Sequence, residues 1–231
     1  MSAVIDPNNL AALPLFHNLT REQFAHISGL LHRKTFPAGS MLMTAEQPGE
    51  VAYMILTGTV KVHVEQADGS DVILAILGAG QLVGELSLIE QQVRSATVAT
   101  LEESTLLWID RVAWQQCLET MPTLTLNLVR MLARRLRLAN AQIQALATQD
   151  VFGRVARQLL AFTQEYGQPQ ANGGTIIPLR LTQSELVSLV GASRVRVNQV
   201  LSFYQQRRLI AIHPNHHITI LDAGALAQRC Q

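Results

Sequence analysis

The sequence predicts a mixed α+β chain: an antiparallel roll of short strands, then one long helix, then a basic helical segment. Three observations carry this expectation. Between residues 37 and 110, short apolar runs at 41–43, 51–57, 59–65, 72–77, 96–101 and 106–109 are divided by turn residues. So many short, turn-bounded runs suit an antiparallel roll or barrel better than a parallel sheet. After Arg111 the apolar residues recur at helical spacing instead. Charge divides along the same line. Residues 1–129 hold 6 Lys/Arg against 13 Asp/Glu, a net of −7, and residues 130–231 hold 12 against 4, a net of +8, so the overall +1 hides a basic half suited to a polyanion.

The composition narrows the class. With 48% hydrophobic residues the chain can bury a real core, and no run of 18 apolar residues predicts a membrane span. Met1-Ser2-Ala3-Val4-Ile5-Asp6 lacks the basic and apolar regions of a signal peptide. Two cysteines, Cys117 and Cys230, are too few for a disulfide framework or a four-ligand cluster. A cytoplasmic protein is expected.

In order, residues 1–19 read as irregular, with Pro7 and Pro14. Thr20-Arg21-Glu22-Gln23 is a capping box, and Phe24, Ile27, Leu30 and Leu31 continue it as a helix. Pro37-Ala38-Gly39 ends that segment. Gly58, Ala67-Asp68-Gly69-Ser70 and Gly78-Ala79-Gly80 supply turns between the strands. Residues 111–120 read as a short helix. Pro122 then suits the first turn of a helix running to about Thr148. Along it Val129, Leu132, Leu136, Ala139, Ile143 and Leu146 keep heptad spacing, which predicts a seam between two copies. Leu124, Leu128, Met131 and Leu138 form a second stripe able to pack on the roll.

Asp150 caps a helix over 151–164, and 148–150 is the expected boundary. Residues 166–174 read as a loop and 175–180 as a strand. Thr182-Gln183-Ser184-Glu185 is a second capping box, opening a helix to Val190. Gly191-Ala192 make a tight turn, and Ser193 caps a helix from Arg194 to about Gln206. Helix, glycine turn and Ser-Arg-led helix form a helix-turn-helix pattern. Strands at 209–213 and 218–221, flanking Pro214-Asn215-His216-His217, would make a two-stranded wing.

One stretch has chemistry that packing alone does not ask for: Val83-Gly84-Glu85-Leu86-Ser87-Leu88-Ile89, followed by Arg94-Ser95-Ala96-Thr97. Gly84 permits close backbone approach. Glu85 can accept hydrogen bonds from sugar hydroxyls. The amides of Leu86 and Ser87, at the start of a short helical turn, favour a phosphate. Arg94 offers a bidentate, permanently charged partner for phosphate oxygens, and Ser95 adds a hydroxyl.

Gly-Glu-Leu-Ser-Leu followed by Arg-Ser-Ala, with nine residues from Glu85 to Arg94, resembles the phosphate-binding cassette of the cyclic-nucleotide-binding domain. The order of elements resembles the catabolite activator (CRP/FNR) family of bacterial transcription regulators, from about residue 13 to 226. The resemblance implies an α+β chain: an N-terminal cyclic-nucleotide-binding antiparallel β-roll (jelly roll) over 1–120, a dimerisation helix over 121–149, and a winged helix-turn-helix DNA-binding domain over 150–231. It implies effector binding by Gly84, Glu85, Leu86, Ser87, Arg94, Ser95 and Asn140. Glu85 would take the ribose hydroxyl, Arg94 and Ser95 the cyclic phosphate, and Asn140 the base. Ala139 stands where enterobacterial relatives carry a hydroxyl. The DNA contacts implied are Thr182, Ser193, Arg194, Val195, Arg196 and Gln199. Arg194 would read guanine, Val195 (a Glu in many relatives) would meet a thymine methyl, and Gln199 would read adenine. Thr182, Ser193 and Arg196 would hold phosphates.

The expected function is thus a homodimeric, effector-gated transcription regulator acting on a palindromic operator and on RNA polymerase. No tightly bound cofactor is expected, and cAMP is the expected effector. Cyclic di-GMP, another effector or none are the alternatives, as is a cyclic-nucleotide-binding module acting on a protein partner. No nucleophile–base constellation, P-loop or metal-ligand spacing argues for an enzyme or a metal site.

Overall fold

The computed structural model describes residues 10–230 apart from 12, 68, 70 and 172. The segment 1–9 and part of the turn expected at 67–70 lie outside the described residues. By compactness the chain divides into two units, residues 1–64 with 76–135, and residues 65–75 with 136–231.

The roll takes in most of the first unit together with residues 65–75, which the division by compactness counts with the second. Helix α1 (Arg21–Leu30) opens on the expected box: the Gln23 amide donates to Thr20 Oγ1 at 3.2 Å, and the Thr20 amide donates to Gln23 Oε1 at 3.0 Å. The strands are β1 (His32–Phe36), β2 (Met41–Met43), β3 (Val51–Thr57), β4 (Val60–Glu65), β5 (Asp71–Leu77), β6 (Leu82–Val83), β7 (Thr97–Thr100) and β8 (Ser104–Asp110). They form two four-stranded sheets with orders β1-β8-β3-β6 and β2-β7-β4-β5. The pairs β1–β8, β3–β8, β3–β6, β2–β7 and β4–β7 are antiparallel. Between β6 and β7 lies the short helix α2 (Glu85–Glu90).

Strand β1 was not expected from apolar runs. His32-Arg33-Lys34-Thr35 is polar and exposed, so no periodicity marks it. It is held instead by pairing along β8, by His32 stacked on Trp108 at 4.3 Å, and by a 3.0 Å hydroxyl contact between Thr35 and Thr105. Pairing at a sheet edge overrides local propensity here.

Helix α3 (Arg111–Thr120) is capped by Asp110, whose Oδ1 accepts from the Ala113 amide at 2.9 Å. The long helix α4 (Pro122–Thr148) follows. Its stripe divides. Leu124 and Leu128 are buried in one core with Ile27, Met54, Leu107 and Trp114, and Met131 packs on that core. Leu138, expected on the same stripe, is exposed instead and belongs to the second unit. Leu132, expected on the seam, also packs on the roll core. Val129, Leu136, Ile143 and Leu146 remain exposed, Leu136 at 62% and Ile143 at 65%. These four exposed apolar residues keep the heptad spacing along α4.

In the second unit Asp150 caps α5 (Val151–Tyr166), accepting from the Gly153 amide at 2.8 Å. Helix α6 (Gln183–Val190) and helix α7 (Arg194–Gln206) pack on α5 through Val155, Leu159, Leu186, Leu189, Val197, Val200 and Leu201. The Tyr204 hydroxyl donates to the Phe152 carbonyl at 2.8 Å. Strands β9 (Gln168–Pro169), β10 (Thr175–Ile177), β11 (Ile210–Ile212) and β12 (Ile218–Ile220) form a sheet of order β11-β12-β10-β9. The β11–β12 hairpin is the expected wing. Helix α8 (Ala223–Ala227), capped by Asp222, follows and leads into a 3-10 turn at Gln228–Cys230; its short Ala-Gly-Ala-Leu-Ala sequence gives no helical period to read.

Candidate functional site

The cassette is built around a buried cation. After β6 the chain turns through Gly84 in the left-handed region (φ 82°, ψ 3°) into α2. Only glycine suits this turn. A Cβ there would be strained by its φ and would meet Arg94 Nη1 at 2.6 Å and Val51 O at 3.1 Å. Arg94 is 5% exposed. Its backbone is pinned to the β2–β3 loop: its amide donates to Gln47 O at 2.8 Å, and its carbonyl accepts from the Glu46 amide at 2.8 Å. Its guanidinium then reaches inward. Nη1 donates to Gly84 O and to Ser87 Oγ, both at 2.7 Å, and Nη2 donates to Val51 O at 2.6 Å. Every one of these acceptors is uncharged. Burial lowers the Arg94 pKa from its ordinary value, with nearby Tyr53 opposing the shift.

Glu85, the first residue of α2, is 2% exposed. Its Oε1 accepts from Arg135 Nη1 at 2.7 Å. Arg135 also donates from Nη2 to Gln81 Oε1 at 3.2 Å and to the Leu82 carbonyl. Burial pushes the Glu85 carboxyl up, while Arg135 pulls it down. Ser87 is buried, and its hydroxyl both accepts from Arg94 and donates to Gly84 O at 3.2 Å. The structure thus brings Gly84, Glu85, Ser87 and Arg94 together. Leu86 and Ser95 are exposed, and Asn140 is an exposed residue of α4 in the second unit. Thr97, on β7, is buried and its hydroxyl accepts from the Ala45 amide at 3.1 Å.

Two members of the site escaped the sequence. Gly49 leaves the room in which Arg94 and Ser87 meet: a Cβ there would stand 2.2 Å from Ser87 Oγ and 3.2 Å from Arg94 Cζ. Arg135 falls between the apolar positions of the heptad, where a charged residue reads as solvent-facing. A Pro-Gly pair before a strand and a lone arginine in a heptad carry no signal of such roles. A buried cation on neutral acceptors beside a buried carboxylate can take a ligand with one anionic group and adjacent hydroxyls. The anion would replace neutral acceptors on Arg94, and the hydroxyls would donate to Glu85.

The second unit presents the other site. Thr182 and Glu185 complete their box, with the Glu185 amide donating to Thr182 Oγ1 at 3.3 Å and the Thr182 amide to Glu185 Oε2 at 2.8 Å. Gly191 ends α6 in the left-handed region (φ 61°). Ser193 Oγ caps α7 by accepting from the Arg196 amide at 3.4 Å. A capping hydroxyl still has its own hydrogen to donate, so Thr182 and Ser193 remain able to bond phosphate. Arg194, Val195, Arg196 and Gln199 are all exposed on the first turns of α7, Val195 at 66%. Arg196 Nη1 donates to Gln199 Oε1 at 3.3 Å.

Residues 33–121 match the cyclic nucleotide-binding domain, and residues 153–229 the Crp-like helix-turn-helix domain. The chain is 33% identical, over 96% of its length and 98% of the relative's, to the CRP-like cAMP-activated global transcriptional regulator of Mycobacterium tuberculosis. It is 29% identical to the cyclic AMP receptor protein of Thermus thermophilus, covering 93% and 95% of the two chains. Among solved structures, the c-di-GMP responsive global regulator CLP of Xanthomonas campestris superposes with a TM-score of 0.70 at 25% identity, covering 87% of this chain and 99% of that one. No helix among the described residues is long and apolar enough to cross a membrane. A cyclic-nucleotide-binding roll, a long helix and a Crp-like helix-turn-helix in this order make the chain a transcription regulator rather than an enzyme, and it belongs to the CRP/FNR family.

Proposed function

We propose that this regulator is a cytoplasmic homodimer gated by cAMP. In this reading residues 1–120 receive the effector, 121–149 pair the two copies, and 150–231 read DNA. The observation that carries it is the buried Arg94 within hydrogen-bond reach of Gly84 O and Ser87 Oγ, on the same turn as the buried Glu85. The cyclic phosphate would take Arg94, Ser95 and the amides of Leu86 and Ser87. The ribose hydroxyl would donate to Glu85, which Arg135 holds in place, and Asn140 would meet the adenine edge. The relative from M. tuberculosis is cAMP-activated by its name, which supports this choice of effector.

Pairing of the two copies through Val129, Leu136, Ile143 and Leu146 would remove the exposed apolar stripe from water. A two-fold dimer then requires a palindromic operator, on which Arg194, Val195 and Gln199 read bases while Thr182, Ser193 and Arg196 hold phosphates. Gating is a population shift: cAMP must bind the DNA-competent arrangement better than the other. RNA polymerase is the downstream partner.

Calorimetry of the full chain against cAMP, cGMP and cyclic di-GMP, followed by operator selection from random DNA with and without the bound nucleotide, tests this. Saturable cAMP binding that increases DNA affinity is the expected result. Tighter binding of cyclic di-GMP, or DNA binding indifferent to every nucleotide, overturns the choice of effector.

A further inference from the structure

The second unit holds a cleft that neither site uses. It lies where the end of α4, the start of α5 and the end of α6 meet, lined by Gln142, Arg154, Arg157, Gln158, Leu189 and Val190 among others. It encloses about 250 Å³ of empty space, including space open to solvent. Two arginines and two glutamines line it, with no carboxylate among the lining residues. Arg154 and Arg157 stand three apart on α5, so their side chains are neighbours on one face. Arg154 Nη2 donates to Gly191 O at 3.3 Å, and Gln142 Nε2 donates to Leu189 O at 3.0 Å. The Nε atoms of both arginines are fully buried with no acceptor. One such charged donor is uncommon in a folded protein. Two such cations lining one cleft with no carboxylate beside them leave a local excess of positive charge, and an anion is the chemistry that offsets it.

We propose that this cleft binds a small tetrahedral oxyanion of the phosphate class, held by the guanidinium groups of Arg154 and Arg157. Size decides against a larger ligand. Sites for drug-sized molecules span roughly 300–1,000 Å³, whereas the space that a water-sized sphere can reach in this cleft is about 20 Å³. It admits an ion but not a nucleoside. Bound there, the ion ties α6, the first helix of the helix-turn-helix, to the junction of α4 and α5. The proposal is independent of the effector reading, because Arg154 and Arg157 take no part in the Glu85–Arg94 cassette.

The test is titration of the full chain with inorganic phosphate at constant ionic strength in chloride, read by ³¹P line broadening and by calorimetry. Wild type, Arg157→Gln, Arg154→Gln and Arg157→Lys are compared, with circular dichroism confirming that each is folded, and AMP and operator DNA are run as separate arms. Saturable phosphate binding is expected, at least about tenfold weaker in each Gln variant and partly restored in Arg157→Lys, with AMP binding no tighter than phosphate. Absence of saturable binding in wild type overturns the proposal without reference to any variant. So does phosphate binding unchanged by both Gln substitutions, which places the ion elsewhere, for instance in the cassette. AMP binding tenfold tighter than phosphate overturns the size argument. A variant that loses only DNA affinity and salt dependence, with phosphate binding unaffected, makes the cleft a DNA-backbone contact instead.

Discussion

Replacing Arg94 with Ala should lower both stability and effector affinity, by amounts that the structure separates. In the unliganded chain the guanidinium makes three hydrogen bonds, to Gly84 O, Ser87 Oγ and Val51 O, in a site 5% exposed. At a net of about 1 kcal/mol each, their loss costs about 3 kcal/mol. For a unit of this size that lowers the melting midpoint by about 10 °C. Affinity follows a different sum, because Arg94 is already satisfied before the ligand arrives. Binding exchanges neutral acceptors for phosphate oxygens, and each exchange gains about 1 kcal/mol. A bidentate engagement makes two, so the Ala variant should bind cAMP with about 2 kcal/mol less, roughly thirtyfold in Kd.

Thermal melts followed by circular dichroism read the first number. Calorimetry well below the variant's midpoint reads the second. Arg94→Lys keeps the charge without the fork and should fall between wild type and Ala in both. An unchanged midpoint refutes the structural role of the three bonds. Wild-type affinity in a folded Ala variant refutes the assignment of the phosphate to Arg94.

Glu85 gives a pH dependence of definite sign. Burial raises its carboxyl above the ordinary value despite Arg135, so at pH values between the unfolded and folded pKa the folded chain holds a proton that the unfolded chain has lost. Stability is therefore full below the unfolded pKa and falls as pH rises through the folded one; denaturant titrations across that window should show the fall in wild type and a flatter profile in Glu85→Gln. Leu136→Asp with Ile143→Asp places charges on residues 62% and 65% exposed in the single chain, so the fold should survive while the dimer splits in sedimentation; an unchanged dimer moves the interface off α4. Arg194→Ala should cost about 1–3 kcal/mol and relax preference at one guanine, whereas Arg196→Ala should weaken all sequences and lower the salt slope by about one phosphate. Selection from random DNA distinguishes the two, and the same consensus with a uniform loss in Arg194→Ala would shift the register of α7.

The sequence made legible what depends on neighbours in the chain. Both capping boxes formed with their reciprocal bonds, at Thr20–Gln23 and Thr182–Glu185, because a cap joins residues three apart. Gly84 and Gly191 took the left-handed conformations that their turns require. The helix-turn-helix was readable because each of its parts is local. What was not legible depends on partners far along the chain. Arg135 lies 50 residues from Glu85, and Arg94 reaches Val51 across 43. A heptad pattern assigns Arg135 to solvent, since periodicity records only which positions are apolar. Gly49 matters through Ser87 and Arg94, and no local feature announces that.

The same distinction explains why the cassette motif was recognisable although its geometry was not. Gly84, Glu85 and Ser87 fall within one turn, so their chemistry shows as a contiguous string. Arg94 is nine residues on, and its loop returns it to that turn through paired backbone bonds with Glu46 and Gln47. In the proposed reading the string names the groups that would face a ligand. The long-range contacts fix the energy of the unliganded site, with Arg94 on neutral acceptors and Glu85 on Arg135. Affinity is the difference between those bonds and the ones a ligand offers, so a substitution at Val51, Gly49 or Arg135 can change binding without removing any ligand contact.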